Sequence, residues 1–105
     1  MPRALVTVKL SGRWGLPEFE RELARGPLDI DLPEGVTGEG LLHCLAERCD
    51  QRFRRKALKA DGKLRAEVRL FVRSDVVQDP AAPLGDKLGD GAEISIVLLK
   101  PLVGG

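Results

Sequence analysis

Apolar and polar residues alternate in four short stretches of the chain. Because successive side chains of a strand point to opposite faces, this period of two predicts half-buried strands. In the last stretch, for example, Ile94, Ile96 and Leu98 share the predicted inner face. The four stretches are residues 4–10, 28–32, 66–73 and 93–99, and Val76 with Val77 predicts a further short edge strand.

One segment follows the helical period instead. Thr37 is a suitable N-cap, and a stripe of apolar positions with i, i+3, i+4, i+7 spacing follows it. We therefore predict a helix to about residue 50. Residues 52–59 either extend this helix or form a second short one, and residues 18–25 are compatible with a helical turn. The stripe consists of Leu42, Leu45, Ala46 and Cys49.

The order of these elements predicts an α+β fold. Two strands, one main helix and then further strands fit a mixed four- to five-stranded sheet with the helix across one face, which is the β-grasp, or ubiquitin-like, arrangement. The first and last strands have strong aliphatic alternation, so we place them in the middle of the sheet. We predict a β-grasp domain over residues 1–100 and a flexible tail over residues 101–105, which ends in Gly-Gly.

The length of 105 residues allows one domain, and its composition is that of a folded protein, with 43% hydrophobic and 31% charged residues. The longest aliphatic run, residues 96–99, is far shorter than the roughly 20 residues that span a bilayer. The first residues lack the long apolar stretch of a secretory signal. We therefore expect a cytoplasmic protein that does not enter a membrane.

Charge is unevenly distributed along the chain. Residues 48–69 carry nine basic and three acidic side chains, a net charge of +6, whereas the remaining residues sum to −5. A basic run is compatible with RNA binding, but Phe53 is the only aromatic residue within it, so we consider nucleic acid an improbable partner. Asp29 and Asp31 alternate out of a predicted strand, where outward carboxylates protect a sheet edge.

Residues for catalysis or metal binding are sparse. The chain lacks a Gly-rich phosphate loop and a dinucleotide fingerprint. His43 and Cys44 are neighbours on a helix and point about 100° apart, which does not suit a nucleophile–base pair. Cys44 and Cys49 are about 7.5 Å apart along the helix axis, so we expect two reduced thiols. One histidine and two poorly spaced cysteines do not make a zinc site, and we predict no metal.

The last two residues, Gly104 and Gly105, are the most informative feature. With 12 glycines in 105 residues, a terminal pair arises by chance in about 1% of chains. Glycine lacks a Cβ and fits a narrow channel, and the terminal carboxylate must be activated before a nucleophile can attack it. Because the chain has no ATP site of its own, activation would come from a partner. The alternative is a frayed end without function.

Several segments, in this order, resemble the bacterial and archaeal sulfur-carrier proteins of the MoaD/ThiS type, which include the small subunit of molybdopterin synthase. The terminal Gly104-Gly105 completes the resemblance. The other matching pieces are the strand at residues 28–32 with Pro-Glu-Gly-Val-Thr at 33–37, the strand at 68–72, Pro83-Leu84, and residues 88–94.

The resemblance implies a carrier rather than an enzyme. An adenylating enzyme of the ubiquitin-activating type would use ATP to form an acyl-adenylate on Gly105, and a sulfur donor would convert it to a thiocarboxylate. Gly104 would provide steric access, and the carrier itself would bind no cofactor. The sulfur would serve molybdopterin or thiamine-like cofactor synthesis, with a synthase large subunit as a possible partner, or tRNA thiolation. Two alternatives stay open: a modifier joined to lysines through Gly105, and an interaction module without tail chemistry.

The strand face opposite the helix is the predicted docking surface for the activating enzyme. An apolar centre with a charged rim of Lys9, Arg69 and Arg73 suits a protein contact. The competing interpretation is that residues 11–27, with Trp14, fold over this face; Trp14 is otherwise either a partner anchor or a cap on one end of the core. The predicted partner contacts are Phe71, Val97, Leu99, Leu102 and Val103.

Overall fold

Five strands and three helices make up residues 3–99, the part of the chain that the structure, a computed structural model, describes; the side chains of Arg3 and Asp86 are not described. The predicted elements are confirmed, with two additional helices beside the main one. In chain order they are β1 (Arg3–Ser11), α1 (Pro17–Ala24), β2 (Leu28–Asp31), α2 (Gly38–Arg48), α3 (Gln51–Ala57), β3 (Val68–Val72), β4 (Asp75–Val76), a 3₁₀ turn (Gly85–Lys87) and β5 (Ala92–Leu98).

The strands form one mixed sheet in the order β2-β1-β5-β3-β4. The first and last strands lie side by side in its middle and run parallel, with Val8 opposite Ile94. The other pairings are antiparallel, and Leu70 of β3 lies opposite Ile96 of β5. This confirms the predicted α+β, β-grasp architecture.

One face of the sheet forms the core with the helices. The inward side chains of β1, β3 and β5 are almost fully buried, as are three leucines of α2. These side chains belong to a single apolar cluster, so the helices and the sheet stabilise each other through burial of apolar surface. The three leucines are Leu41, Leu42 and Leu45.

Local hydrogen bonds fix where the helices begin. Thr37 Oγ1 accepts a hydrogen bond from the Gly40 amide at 2.9 Å, which confirms the predicted N-cap of α2. Asp50 caps α3 in the same way, because its Oδ1 accepts from the Arg52 amide at 2.9 Å. Residues 51–57 therefore form a second short helix and do not continue α2.

Trp14 is part of the core. Its side chain is fully buried, its Nε1 donates to the Ser11 carbonyl oxygen at 2.9 Å, and its ring centroid lies 5.3 Å from that of Phe53 in α3. Phe19 of α1 also packs against Phe53, with the two ring centroids 4.9 Å apart. The predictions that Trp14 anchors a partner, or that residues 11–27 fold over the opposite face, are therefore wrong, because these aromatic rings pack with the helices.

Candidate functional site

The sheet face opposite the helices carries an apolar patch. Phe71 is half-buried and lies directly opposite Val76 across the β3–β4 pair, so both side chains point to this face. Val97 of β5 is half-buried, and Leu99 just beyond β5 is 41% exposed. We call Phe71, Val76, Val97 and Leu99 the outer patch. The structure thus brings together three of the predicted contact residues.

Val76 is a member that the sequence interpretation missed. It is 40% exposed, and its place beside Phe71 depends on a two-residue hairpin loop formed by Arg73 and Ser74. Both loop residues have positive φ, 51° and 71°, as a type I′ turn requires. Neither residue is the Asn or Gly that normally marks this turn, so the register of the hairpin could not be predicted from its turn residues.

Arg69 and Arg73, both predicted at the rim of the outer patch, donate to backbone carbonyl oxygens at opposite ends of the sheet. Arg73 Nε donates to the Lys87 carbonyl oxygen at 2.8 Å, which ties the hairpin loop to the loop before β5. Arg69 lies opposite Val97, and its Nη1 donates to the carbonyl oxygens of Ala66 and Val68 at 2.6 and 3.1 Å. Arg69 therefore rims the patch on the side where β5 ends, whereas Arg73 points toward the other end of the sheet.

The same end of the sheet is where the chain leaves β5. The Leu99 amide donates to the Glu67 carbonyl oxygen at 2.7 Å. Gly12 packs against Leu98: its φ is 100°, and a Cβ at this position would clash with the Leu98 carbonyl oxygen. Leu98 and Leu99 are thus held between the start of β3 and the segment after β1. The predicted tail positions Leu102, Val103, Gly104 and Gly105 lie outside the described residues.

The thiols and the histidine are in different surroundings from the outer patch. Cys44 and Cys49 are free and half-buried. Burial, followed by the neighbouring Glu22 carboxylate, raises the pKa of Cys49 to about 11, and burial also raises the pKa of Cys44. His43 Nε2 lies 2.9 Å from Glu47 Oε1 on the surface of α2. Within residues 3–99, no three His, Cys, Asp or Glu side chains are placed to hold a metal ion, and no helix could span a membrane.

The raised pKa predicts that Cys49 reacts slowly with iodoacetamide. At a pKa of about 11, roughly one thiol in a thousand is ionised at pH 8, and thiolate is the reacting form. After allowing for the higher nucleophilicity of a more basic thiolate, we expect alkylation at least about 10-fold slower in the folded than in the urea-unfolded chain. Peptide mass spectrometry over time measures both rates, and the folded rate should still rise with pH between 8 and 10.

The matched variant for this measurement is Glu22→Gln, which keeps the shape of the side chain and removes its negative charge. Because that charge disfavours the thiolate, the variant should alkylate faster at Cys49 and unchanged at Cys44. Equal alkylation rates at Cys49 in the folded and unfolded wild-type chain would contradict the proposed environment of this thiol.

Solved structures with the same fold include three of proteins from Haloferax volcanii. The H. volcanii small archaeal modifier protein 1 superposes with a TM-score of 0.64 at 12% identity, over 92% of this chain and 99% of that one. SAMP1 from Haloferax volcanii gives 0.60 at 15% identity, over 97% and 100%. The Haloferax volcanii HVO 2177 protein gives 0.60 at 18% identity, over 98% and 88%.

These likenesses establish the fold. The structural neighbours include small archaeal modifier proteins, and the superpositions cover nearly the whole of both chains, so the β-grasp domain here has no large addition or loss. At 12% to 18% identity, these likenesses do not assign a functional role to any individual residue of this chain. No protein-family model matches the chain, and no curated protein matches it by sequence.

Proposed function

We propose that this chain is a ubiquitin-like sulfur carrier whose C-terminal carboxyl group, on Gly105, is activated by a separate adenylating enzyme. The observation that supports this most is the near end-to-end superposition on small archaeal modifier protein 1, taken together with the Gly104-Gly105 pair. The outer patch is the docking surface in this proposal, and Leu99, two residues before the predicted tail, is hydrogen-bonded at one edge of it. It acts as a protein substrate, and its partner supplies the catalysis.

The chemistry needs two steps at Gly105. The carboxylate oxygen attacks the α-phosphorus of ATP on the partner enzyme, pyrophosphate leaves, and an acyl-adenylate forms. A sulfide equivalent from a sulfur donor then attacks the carbonyl carbon and displaces AMP, which leaves a thiocarboxylate. Activation replaces a poor leaving group, oxide, with a good one, AMP. The acceptor is a precursor of molybdopterin or a thiamine-like cofactor, or a tRNA base.

Intact mass spectrometry of the protein purified from its source tests this proposal. A carrier shows a species about 16 Da heavier than the chain that ends at Gly105, because sulfur replaces one oxygen. The heavier species should disappear after alkylation of the thiocarboxylate, which gives a new defined mass. A native chain that continues past Gly105, or one that never shows the added mass during active sulfur transfer, contradicts the proposal.

The second candidate is a protein modifier, favoured by the structural likeness to small archaeal modifier protein 1. In that reaction a lysine amine attacks the activated Gly105 carbonyl and forms an isopeptide bond. Immunoblots of a cell extract would then show a ladder of higher masses, and digestion would give branched peptides on target lysines. A chain without either product is an interaction module that uses its β-grasp surface alone.

The outer patch predicts a docking defect in Phe71→Asp. A carboxylate at the centre of an apolar contact must be desolvated without a partner, so we expect kcat/KM for adenylation to fall about 10- to 100-fold. ATP–pyrophosphate exchange with the purified adenylating enzyme measures this. Because Phe71 is only half-buried, the circular dichroism spectrum should stay that of the wild type.

Thr7→Asp is the matched control, because Thr7 is half-buried on the same face but lies on β1, opposite Glu93 and away from Phe71. It should keep near wild-type exchange kinetics. Exchange that is unaffected by Phe71→Asp, in a folded variant, would remove the outer patch as the docking surface.

A further inference from the structure

The sheet topology gathers basic side chains at the end where the chain leaves β5. Because β1 and β5 are parallel and β3 runs against them, Ser11, Leu98 and Val68 all lie at this end. We call the cationic residues placed here the basic end, and they come from three separate segments of the sequence. They are Arg13, Lys56, Arg65 and Arg69.

The positions of these residues follow from their contacts. Arg13 comes directly after Gly12, which packs on Leu98, and a Cβ on Gly15 would lie 3.4 Å from Lys56 Nζ. Arg65 lies two residues before Glu67, whose carbonyl oxygen accepts a hydrogen bond from the Leu99 amide. Basic residues on α3, after β1, and before and on β3 therefore lie around the end of β5, where the chain leaves the sheet.

The positive charge of the basic end is not neutralised locally. Arg65 Nε donates to the Arg55 carbonyl oxygen at 2.8 Å, and Arg69 also donates to carbonyl oxygens, so within residues 3–99 neither guanidinium is paired with a carboxylate. Glu67 is the one acid in the stretch between them. The whole chain has a net charge of only +1, so the positive charge at the basic end results from the arrangement of these residues in the fold and not from an excess of basic residues in the chain.

The surroundings favour an acidic protein over a nucleic acid as the partner. Single-stranded nucleic acid is bound through several exposed aromatic rings on which bases stack, but Trp14, Phe19 and Phe53 are buried, which leaves the half-buried Phe71 as the one partly exposed ring. The basic end is also continuous with the outer patch, since Arg69 lies beside Val97. An apolar centre that passes into a charged rim is the anatomy of a protein–protein contact.

We propose that the basic end docks on an acidic surface of the adenylating enzyme, at the mouth of the channel that receives the tail. This rests on the proposed function. Complementary charge at the point of exit steers the tail toward the channel before the apolar patch is in contact, so it acts on association and depends on salt. The partner surface is therefore expected to present Asp and Glu side chains.

The test is the double reversal Arg13→Glu with Lys56→Glu, both exposed in the structure. Binding to the purified adenylating enzyme is measured by calorimetry without ATP, at salt concentrations from about 0.05 M to about 0.5 M. We expect Kd to rise about 10-fold at the lowest salt and the difference from wild type to shrink as salt increases. The matched control, Arg48→Glu with Lys87→Glu, changes net charge equally but lies elsewhere, and should bind like the wild type.

The outcomes separate this proposal from the proposed function. If the wild type binds the enzyme in a salt-dependent way but is not adenylated when ATP is added, the sulfur-carrier function fails and the basic end stands. If both double variants bind equally, or the wild type does not bind, the basic end has no such role. Retention of total RNA from the source by the wild type and not by Arg13→Glu with Lys56→Glu, with unchanged enzyme binding, would assign the surface to nucleic acid instead.

Discussion

Replacement of Trp14 by alanine is expected to lower the free energy of unfolding by about 3–5 kcal/mol. The side chain is fully buried, and its loss would leave a cavity beside Phe53, together with an unpaired carbonyl oxygen on Ser11. Small domains are stable by only about 5–15 kcal/mol, so the variant should be close to unfolding. Because Trp14 is the only tryptophan, the urea transition is followed by circular dichroism and not by its fluorescence.

Trp14→Phe is the control that separates the contribution of aromatic packing from that of the hydrogen bond to Ser11. It keeps an aromatic ring against Phe53 but cannot donate to Ser11, so we expect a loss of about 1–2 kcal/mol. A change below about 1 kcal/mol for Trp14→Ala would mean that the segment after β1 is not anchored in the core. The interpretation that residues 11–27 fold over the outer patch would then have to be reconsidered.

The sequence predicted the fold where burial repeats with a period. Alternation located four of the five strands to within about two residues, because a half-buried strand must place apolar side chains on one face. Thr37 was identifiable as the cap of α2 because a hydroxyl directly before a helical stripe can accept a hydrogen bond from the first amides of the helix. The helix after residue 50 was ambiguous because Asp50 caps one helix while the apolar residues around it also fit a continuous one.

The features that sequence reasoning missed depend on contacts between distant residues. The sequence left Trp14 open between a partner anchor and a cap on the core, because its burial is decided by Phe53 on α3. Val76 joins the outer patch through the register of a hairpin whose turn residues, Arg73 and Ser74, lack the usual signature. The basic end joins residues of the basic run at 48–69 with Arg13, which lies 35 residues before that run in the sequence.

Deletion of Gly105 is expected to reduce kcat/KM for adenylation at least about 100-fold while stability stays that of the wild type. The shortened chain still ends in a carboxylate, but that group is withdrawn by up to about 3.5 Å along an extended tail. Attack on the α-phosphorus of ATP requires the two reacting atoms about 3–3.5 Å apart, and a misplacement of about 1 Å can cost 100-fold. The fall in kcat/KM should therefore come from the displaced carboxylate and not from weaker docking. Binding of the shortened chain to the enzyme, measured by calorimetry, should persist.

Gly105→Ala distinguishes a requirement for the length of the tail from a requirement that its last residue fit a narrow channel. It preserves the length of the tail and adds one methyl group, so a channel that requires glycine would exclude it, whereas a channel that measures only length would accept it. Both variants leave the outer patch and the basic end intact, which makes urea stability and enzyme binding the internal controls. If the chain without Gly105 were adenylated at the wild-type rate, the reactive carboxyl group would not be where we place it, and the β-grasp domain would act through its surface alone.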